Sequence, residues 1–420
     1  MVFKKYKLLE LISNLSMSFK KILIVNTTFN KGGAAEIARN LFESSKSNFE
    51  IFFAYGRGLA SKNKKTFKFG YKIEFFIHVA LVRFFGLEGF GSYFSTKKLI
   101  KFIKREKFDL IHLHNLHGYY LNFFYLVNFL KKQKIPVIWT FHDEWPITWL
   151  PAHSLECNHC KNLVGKCTNT YSYPKNYFPL FDKFMLNKKK EVFANGWKPI
   201  IVCPSSWLAE KIQKSFLNKF EIKVINNGID VEVFKPVTNK DQLKNKYGLP
   251  LNKKIIIFSA SNLNDGSKGI KYILGAAKAL KHRNFLFVGV GRGRITETTS
   301  VKILGYFYNK KELAQIYALS DIFCFASVAE TFLLSAAEAL ASGLPVVGFD
   351  LPVVRELVRD DVGILIKNRN INSLAEAIDG LARDKNKMAG MSQLGRNLIE
   401  TNYSNETFFR NYFGLYACKS

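Results

Sequence analysis

Acidic residues are scarce in this chain. Of its 420 residues, 33 are Asp or Glu against 62 Lys or Arg, a formal net charge of +29. Such a surplus either favours acidic partners (nucleic acid, anionic lipid, phosphorylated ligands) or reflects a sequence-wide bias in which Lys, Asn, Ile and Phe are abundant together. Cysteine is sparse as well, six in all. That excludes a disulfide scaffold and makes a reducing cytosol the expected compartment. Proline numbers only 11, and 48% of the residues are hydrophobic, a composition suited to packed cores and not to disorder. No run reaches the ~18–20 apolar residues that span a bilayer. The nearest, FFIHVALVRFFGL (75–87), is short and interrupted by His78 and Arg83, which leaves a core helix or an interfacial one. No secretory signal is visible, because Glu10 and Asn14 interrupt any apolar segment near the start.

What is present is a rhythm. Apolar β-branched runs such as KILIVNTTF, FDLIHLHN and IPVIWTFHDEW alternate with stretches of helical spacing. This pattern implies parallel sheets covered on both faces. The polar segment 235–251 reads as a connection, after which the rhythm restarts with KKIIIFSAS. The expected organisation is an appendage at 1–16 upstream of Met17 and one α/β domain over 17–236. A second follows over 237–403, and then a C-terminal helix over 404–420 that packs back. Two doubly wound, Rossmann-like domains would face each other across a cleft, with ligands bound outside the carboxyl ends of strands.

The motifs follow strands. In AETFLLSAAEALASGLPVV (329–347), Glu330 falls in a loop after DIFCFAS and Glu338 a turn inside the next helix. The amides of Thr331, Phe332 and Leu333, near that helix's N-terminus, form a natural phosphate cradle. The plainer alternative makes Glu330 a cap and Glu338 a surface residue. Lys268-Gly269 opens a helix after KKIIIFSA, which suits a diphosphate. Gly32 and Gly33, after the first strand, permit close backbone approach to a ligand. Neither that turn nor GVGRGR (289–294) completes a dinucleotide fingerprint. In DLIHLHNLHGYYLN, His112 reads as core, His114 as the mouth of the site and His117 as loop. His142, Asp143 and Glu144 repeat the arrangement at the next strand end. For Cys157, Cys160 and Cys167, with His153 or His159, reduced thiols are preferred over a Cys₃His zinc site, because the spacing is imperfect.

At these residues the sequence resembles a family 4 glycosyltransferase of the two-domain GT-B type. The resemblance runs from Met17 over nearly the whole chain. It rests on Glu330-x₇-Glu338, Lys268-Gly269, NNGIDVEVFKP (226–236), HLHNLHGYYLN and WTFHDEWPITW. The last two resemble the subgroup that builds capsular or colanic-acid-like surface polysaccharides. The resemblance implies a nucleoside-diphosphate sugar as donor, held by the second domain, and a glycan or lipid-linked oligosaccharide as acceptor, held by the first. It implies that Glu330 meets the donor sugar, Glu338 the ribose hydroxyls, and Lys268 with the amides after Glu330 the diphosphate. Gly32 and Gly33 would approach from the other domain, and His114 would lie near the attacked carbon. His117, His142 and Asp143 are expected on the acceptor side.

The implied reaction retains anomeric configuration and needs no metal or other cofactor. The expected place is the cytoplasm, peripheral at the inner face of the membrane, where basic residues and exposed aromatics would touch anionic lipid. Two departures stand out. The arginine that most members carry shortly before the lysine is missing from SASNLND, leaving Arg292 or Arg294 as substitutes. Thr331 and Leu333 replace the usual glycines. Two rival readings are a catalytically silent sugar-nucleotide-binding homologue and a basic nucleic-acid-binding protein; no nucleic-acid motif supports the second.

Overall fold

The computed structural model describes residues 20–44, 49–154, 157–164, 173–178 and 180–418. The first half runs β1 (Lys20–Thr28), α1 (Gly33–Glu43), β2 (Phe49–Arg57), β3 (Thr66–Lys68), α2 (Lys72–Ala80), α3 (Tyr93–Glu106), β4 (Leu110–Leu113), α4 (Phe123–Gln133) and β5 (Val137–Thr140). It continues through α5 (Asn158–Asn162), α6 (Asp182–Ala194), β6 (Ile200–Cys203), α7 (Ser206–Gln213) and β7 (Ile222–Val224). Its seven strands are ordered β3-β2-β1-β4-β5-β6-β7, and every pair is parallel. β1 pairs with β4 from Ile22↔Leu110 to Val25↔Leu113. Ile22, Leu23, Ile24 and Val25 are wholly buried, as continuous apolar strands between helical layers must be.

The second half runs α8 (Lys240–Lys246), β8 (Lys254–Asn262), α9 (Ile270–Ala279), β9 (Phe285–Arg292), β10 (Val301–Gly305), α10 (Lys310–Leu319), β11 (Ile322–Phe325), α11 (Leu334–Ala341), β12 (Val346–Phe349), β13 (Gly363–Ile366) and α12 (Ile371–Arg383). Its six parallel strands are ordered β10-β9-β8-β11-β12-β13. Both sheets are therefore doubly wound. The chain reverses direction across the sheet between β1 and β4 in the first, and between β8 and β11 in the second. A crevice opens outside the strand ends at each reversal.

Segment 235–251 is more than a connection, contrary to the reading from its polarity. α8 forms there, with the Asn239 side chain capping its first turn. It is tied to α10 by Lys246 and the Tyr247 hydroxyl, which both donate to Gln315 Oε1 at 2.8 and 2.7 Å. A short polar helix of this kind leaves no apolar period to detect.

Two terminal helices close the chain, α13 (Lys385–Asn402) and α14 (Asn405–Ala417). α14 lies on the first sheet, where Phe408, Tyr412, Leu415 and Tyr416 join a core containing Ile22, Ile24 and Ile138. Arg396 of α13 anchors the crossing by donating to the carbonyls of Phe234, Ala341 and Val231 at 2.6, 2.7 and 3.0 Å. Among the described residues no helix is long and apolar enough to cross a membrane.

Candidate functional site

Four loops meet between the sheets, and each leaves a strand at a reversal point: after β1 and β4 on one side, after β8 and β11 on the other. In the β8 loop, the Asp265 carboxylate caps the single turn Gly266–Lys268 by accepting from Ser267 N. Gly269 then takes φ 62°, and a Cβ there would lie 1.9 Å from the Ala326 carbonyl oxygen at the end of β11. Only glycine lets the two loops come this close. Val328 N donates to Ser267 O at 2.8 Å and pins them together. The result brings Lys268 Nζ within 2.6 Å of Glu330 Oε1. Burial works against the Lys268 charge, but the Glu330 carboxylate outweighs it and holds the ammonium above its ordinary range. Lys268, Glu330, Ser259, Ser327 and Ser335 line a small cavity here.

α11 begins immediately afterwards. Its first turn receives no side-chain cap, which leaves its amides available to an anion. Phe332 and Leu333 are buried in the core of the second half, Phe332 with its ring 5.9 Å from that of Tyr403. They can therefore serve a ligand only through their backbone. Thr331 does more than the sequence suggested: its hydroxyl donates to the His142 carbonyl at 2.7 Å, a bond across the cleft. The glycine turn arrives from the same direction. Gly32 has φ 95° with open space around it, and a Cβ on Gly33 would touch Leu334 Cδ1 at 3.4 Å.

Glu338 sits one turn further in. Burial raises its carboxyl to about 8, and the nearby Glu36 carboxylate adds to this while Lys310 and Tyr317 oppose it. The Tyr317 hydroxyl bonds Ser259 Oγ at 2.7 Å and reaches toward Glu338. Lys310, at the start of α10, is committed across the cleft to the Glu36 carboxylate. Sequence reasoning missed Glu36, Lys310, Tyr317 and Ser259. Glu36, three residues after Gly33, carried the only local signal, since it shares the glycine turn.

On the opposite wall the histidines are assembled. His112 Nδ1 and Nε2 bond the Tyr416 hydroxyl and Thr140 Oγ1 at 2.7 and 2.8 Å, so this ring serves to seat α14. His114 Nδ1 lies 2.8 Å from His142 Nε2, and its own Nε2 is buried with no partner among the described residues. His114 was expected at the mouth of the site; the structure buries it completely, with its ring 4.3 Å from that of His112 and 5.1 Å from that of His142. Burial lowers His112 to about 3 and His142 to about 4, and pushes His114 well down. All three are therefore neutral imidazoles at pH 7. His117 Nε2 meets Asp143 Oδ2 at 2.7 Å, and Asp143 Oδ1 accepts from Trp145 N at 3.0 Å. Burial alone would raise Asp143, but His117, joined by His153 and the Trp145 amide, offsets it and the carboxyl is lowered.

The remaining expectations concern two arginines and the cysteines. Arg292 stacks on Tyr306 and Tyr308, with 4.2 and 5.5 Å to the ring centres. Arg294 is exposed, its amide bonded to Asn264 Oδ1 at 2.9 Å. Neither arginine forms an ion pair among the described residues. Cys157 and Cys160 are buried, whereas Cys167 lies outside the described residues. Among those residues no three His, Cys, Asp or Glu side chains gather as a metal site.

Comparison with known proteins agrees with this fold. Residues 33–233 match the family described as Glycosyltransferase Family 4, and residues 253–384 match Glycosyl transferases group 1. A putative colanic acid biosynthesis glycosyl transferase of Escherichia coli, WcaC, is 24% identical over 94% of this chain and 99% of its own. An Escherichia coli UDP-Gal:alpha-D-GlcNAc-diphosphoundecaprenol alpha-1,3-galactosyltransferase is 28% identical over 52% of this chain and 60% of its own. Among solved structures, Anabaena HepE in complex with UDP superposes with a TM-score of 0.68 at 17% identity, covering 95% of this chain and 100% of that one. The fold is GT-B.

Proposed function

This chain belongs to the family 4, group 1 glycosyltransferases, and from that premise we propose that it transfers a sugar, with retention, from a nucleoside-diphosphate sugar to a glycan or lipid-linked acceptor in surface-polysaccharide synthesis. The observation that carries this reading is the convergence of Lys268, Glu330 and the uncapped start of α11 at the β8–β11 reversal point, with Gly33 against Leu334 from across the cleft. Positive charge and free amides meet there, as a leaving diphosphate requires.

In this mechanism the anomeric C–O bond to the β-phosphate breaks while the acceptor oxygen bonds the same face of that carbon. The departing phosphate oxygen takes the acceptor's proton. Lys268 and the amides of residues 331–333 stabilise the developing charge, so no metal is needed. Glu330 holds the donor sugar, and Glu338, oriented by Tyr317, holds the ribose. His114, neutral and with Nε2 unpartnered among the described residues, would bond a sugar hydroxyl once the cleft opens to admit the donor. His117, His142 and Asp143 shape the acceptor side. Similarity to a diphosphoundecaprenol-dependent enzyme supports a lipid-linked acceptor, and hence work in the cytoplasm at the inner face of the membrane.

Incubating the purified protein with a panel of nucleotide sugars tests this. Release of a nucleoside diphosphate from one donor, accelerated by a lipid-linked acceptor, is the expected result. Donor-specific thermal stabilisation without turnover under any acceptor would favour the silent homologue, and no response to any nucleotide would overturn both.

A further inference from the structure

Helix α2 (KIEFFIHVA) is inverted. It is among the most apolar helices of the chain, yet the one residue it buries is His78. The His78 ring is held inside by Ser92 Oγ at 2.9 Å and by Gly89 N, which donates to Nε2 at 3.0 Å. Ile73, Phe76 and Ile77 face outward, at 76, 68 and 54% exposure. Water alone gives no reason for this arrangement.

The neighbouring segments extend the same face. Phe84 lies 6.0 Å from Tyr177, Phe85 6.4 Å from Phe181, and Phe90 5.7 Å from Phe184, measured between ring centres. Tyr177 N donates to Arg83 O at 2.7 Å, which fixes the two strips together. Of the 24 large apolar side chains exposed among the described residues, 15 fall within 71–94 and 173–184. One surface has thus collected most of them.

Its charges have one sign left over. Glu74 is consumed internally, accepting from Phe94 N and from the amide and hydroxyl of Ser95. Asp182 is held by His159 at 2.9 Å. Lys72, Arg83, Lys97, Lys175 and Lys183 are exposed on or beside the face and form no ion pair among the described residues. An apolar aromatic surface rimmed by unpaired cations is complementary to an anionic bilayer, whose headgroups meet the cations while the rings enter the interface.

We propose that this face, built from α2, the turn through residue 94 and residues 173–178 and 180–184, docks the protein on an anionic membrane surface. A relay of rings leads from it to the acceptor wall. Phe76 adjoins Phe75 (5.3 Å), Phe75 adjoins Tyr119 (6.3 Å), Tyr119 adjoins Tyr173 (6.2 Å), and Tyr173 adjoins His117 (5.8 Å). Docking therefore sets the acceptor side, and not the donor side, next to the lipid. The inference deepens the proposed function and rests on its placement at a membrane, while vesicle binding and nucleotide binding can fail separately.

Vesicle flotation tests it. The intact protein should float with vesicles containing about half phosphatidylglycerol and much less with pure phosphatidylcholine, and added salt should release it. Ile73→Ser/Phe76→Ser/Ile77→Ser should cut partitioning about tenfold or more while leaving the melting temperature and nucleoside-diphosphate binding unchanged. Lys72→Glu/Lys175→Glu should do the same through charge and serves if the triple variant misfolds. Failure of the wild type to float, equal binding to neutral vesicles, or undiminished binding by either variant would overturn the proposal. So would sedimentation showing that the face is instead occupied by a second copy of the chain.

Discussion

Lys268 Nζ and Glu330 Oε1 are 2.6 Å apart, although 62 residues separate them in sequence. A close approach of two main chains enforces the pair, since Gly269 has the Ala326 carbonyl where a side chain would stand. Each partner neutralises the other, at the point where the proposed function would seat a diphosphate and a sugar. Under the proposed function, donor binding would redistribute this contact, with the lysine shared between phosphate and carboxylate.

Glu330→Gln separates the two roles. It removes the charge but keeps the shape and leaves Lys268 to the phosphate. Nucleoside-diphosphate affinity should change by no more than about threefold, while kcat falls roughly 100-fold or more, the usual cost of losing a charged group that acts at the transition state. Steady-state kinetics with calorimetric binding checks this; an unchanged kcat would remove Glu330 from the sugar site.

Glu338→Gln should stabilise the ligand-free protein. The buried carboxyl, raised to about 8, is more protonated folded than unfolded. Its contribution is present below its unfolded value of ~4.3 and is lost as pH rises toward 8. The amide has no such penalty, and a gain on the order of 1 kcal/mol is expected at pH 8. The same variant should weaken nucleotide binding. Thermal melts at pH 5 and pH 8 provide the check, because the gain should appear only at the higher pH.

The histidines act in the opposite sense. His112 and His142 protonate in the folded state only near 3 and 4, whereas an unfolded histidine protonates near ~6.5. Stability should be full above that pH and fall as the pH drops toward 4, at ~1.4 kcal/mol per pH unit for each histidine. Glu338 offsets one proton of this. A melting temperature that stays flat between pH 6.5 and 4.5 would contradict the burial of these rings.

Thr331→Val deletes the bond to the His142 carbonyl while keeping the side-chain volume. A loss of about 1 kcal/mol, up to roughly tenfold in kcat/KM, is expected, with a shift toward more open particles in small-angle scattering. Thr331→Ser should restore both. If Ser and Val behave alike, the hydroxyl does not latch the cleft.

Much of this was legible in sequence because strands buried on both faces are written as apolar runs, and the loops after them carry the unusual polar residues. Lys268, Glu330 and Glu338 could be located on that basis. Partners that meet only through the tertiary fold could not. Lys310 and Glu36 are 274 residues apart, and Tyr317 looks like an ordinary core tyrosine until Glu338 is placed beside it. The full burial of His114 was hidden for the same reason, since nothing local announces that the His142 ring comes to lie against it. α8 stayed hidden because a polar helix of two turns has no hydrophobic period.

The most direct measurement is the affinity of the matching nucleoside diphosphate for the wild type and for Lys268→Ala, set beside the affinity of the corresponding nucleoside. A phosphate site formed by Lys268 and the start of α11 predicts a loss of about 100-fold for the diphosphate, in the range expected for a charged hydrogen bond in a partly buried site, and little change for the nucleoside. Equal diphosphate affinity in the two proteins would contradict it.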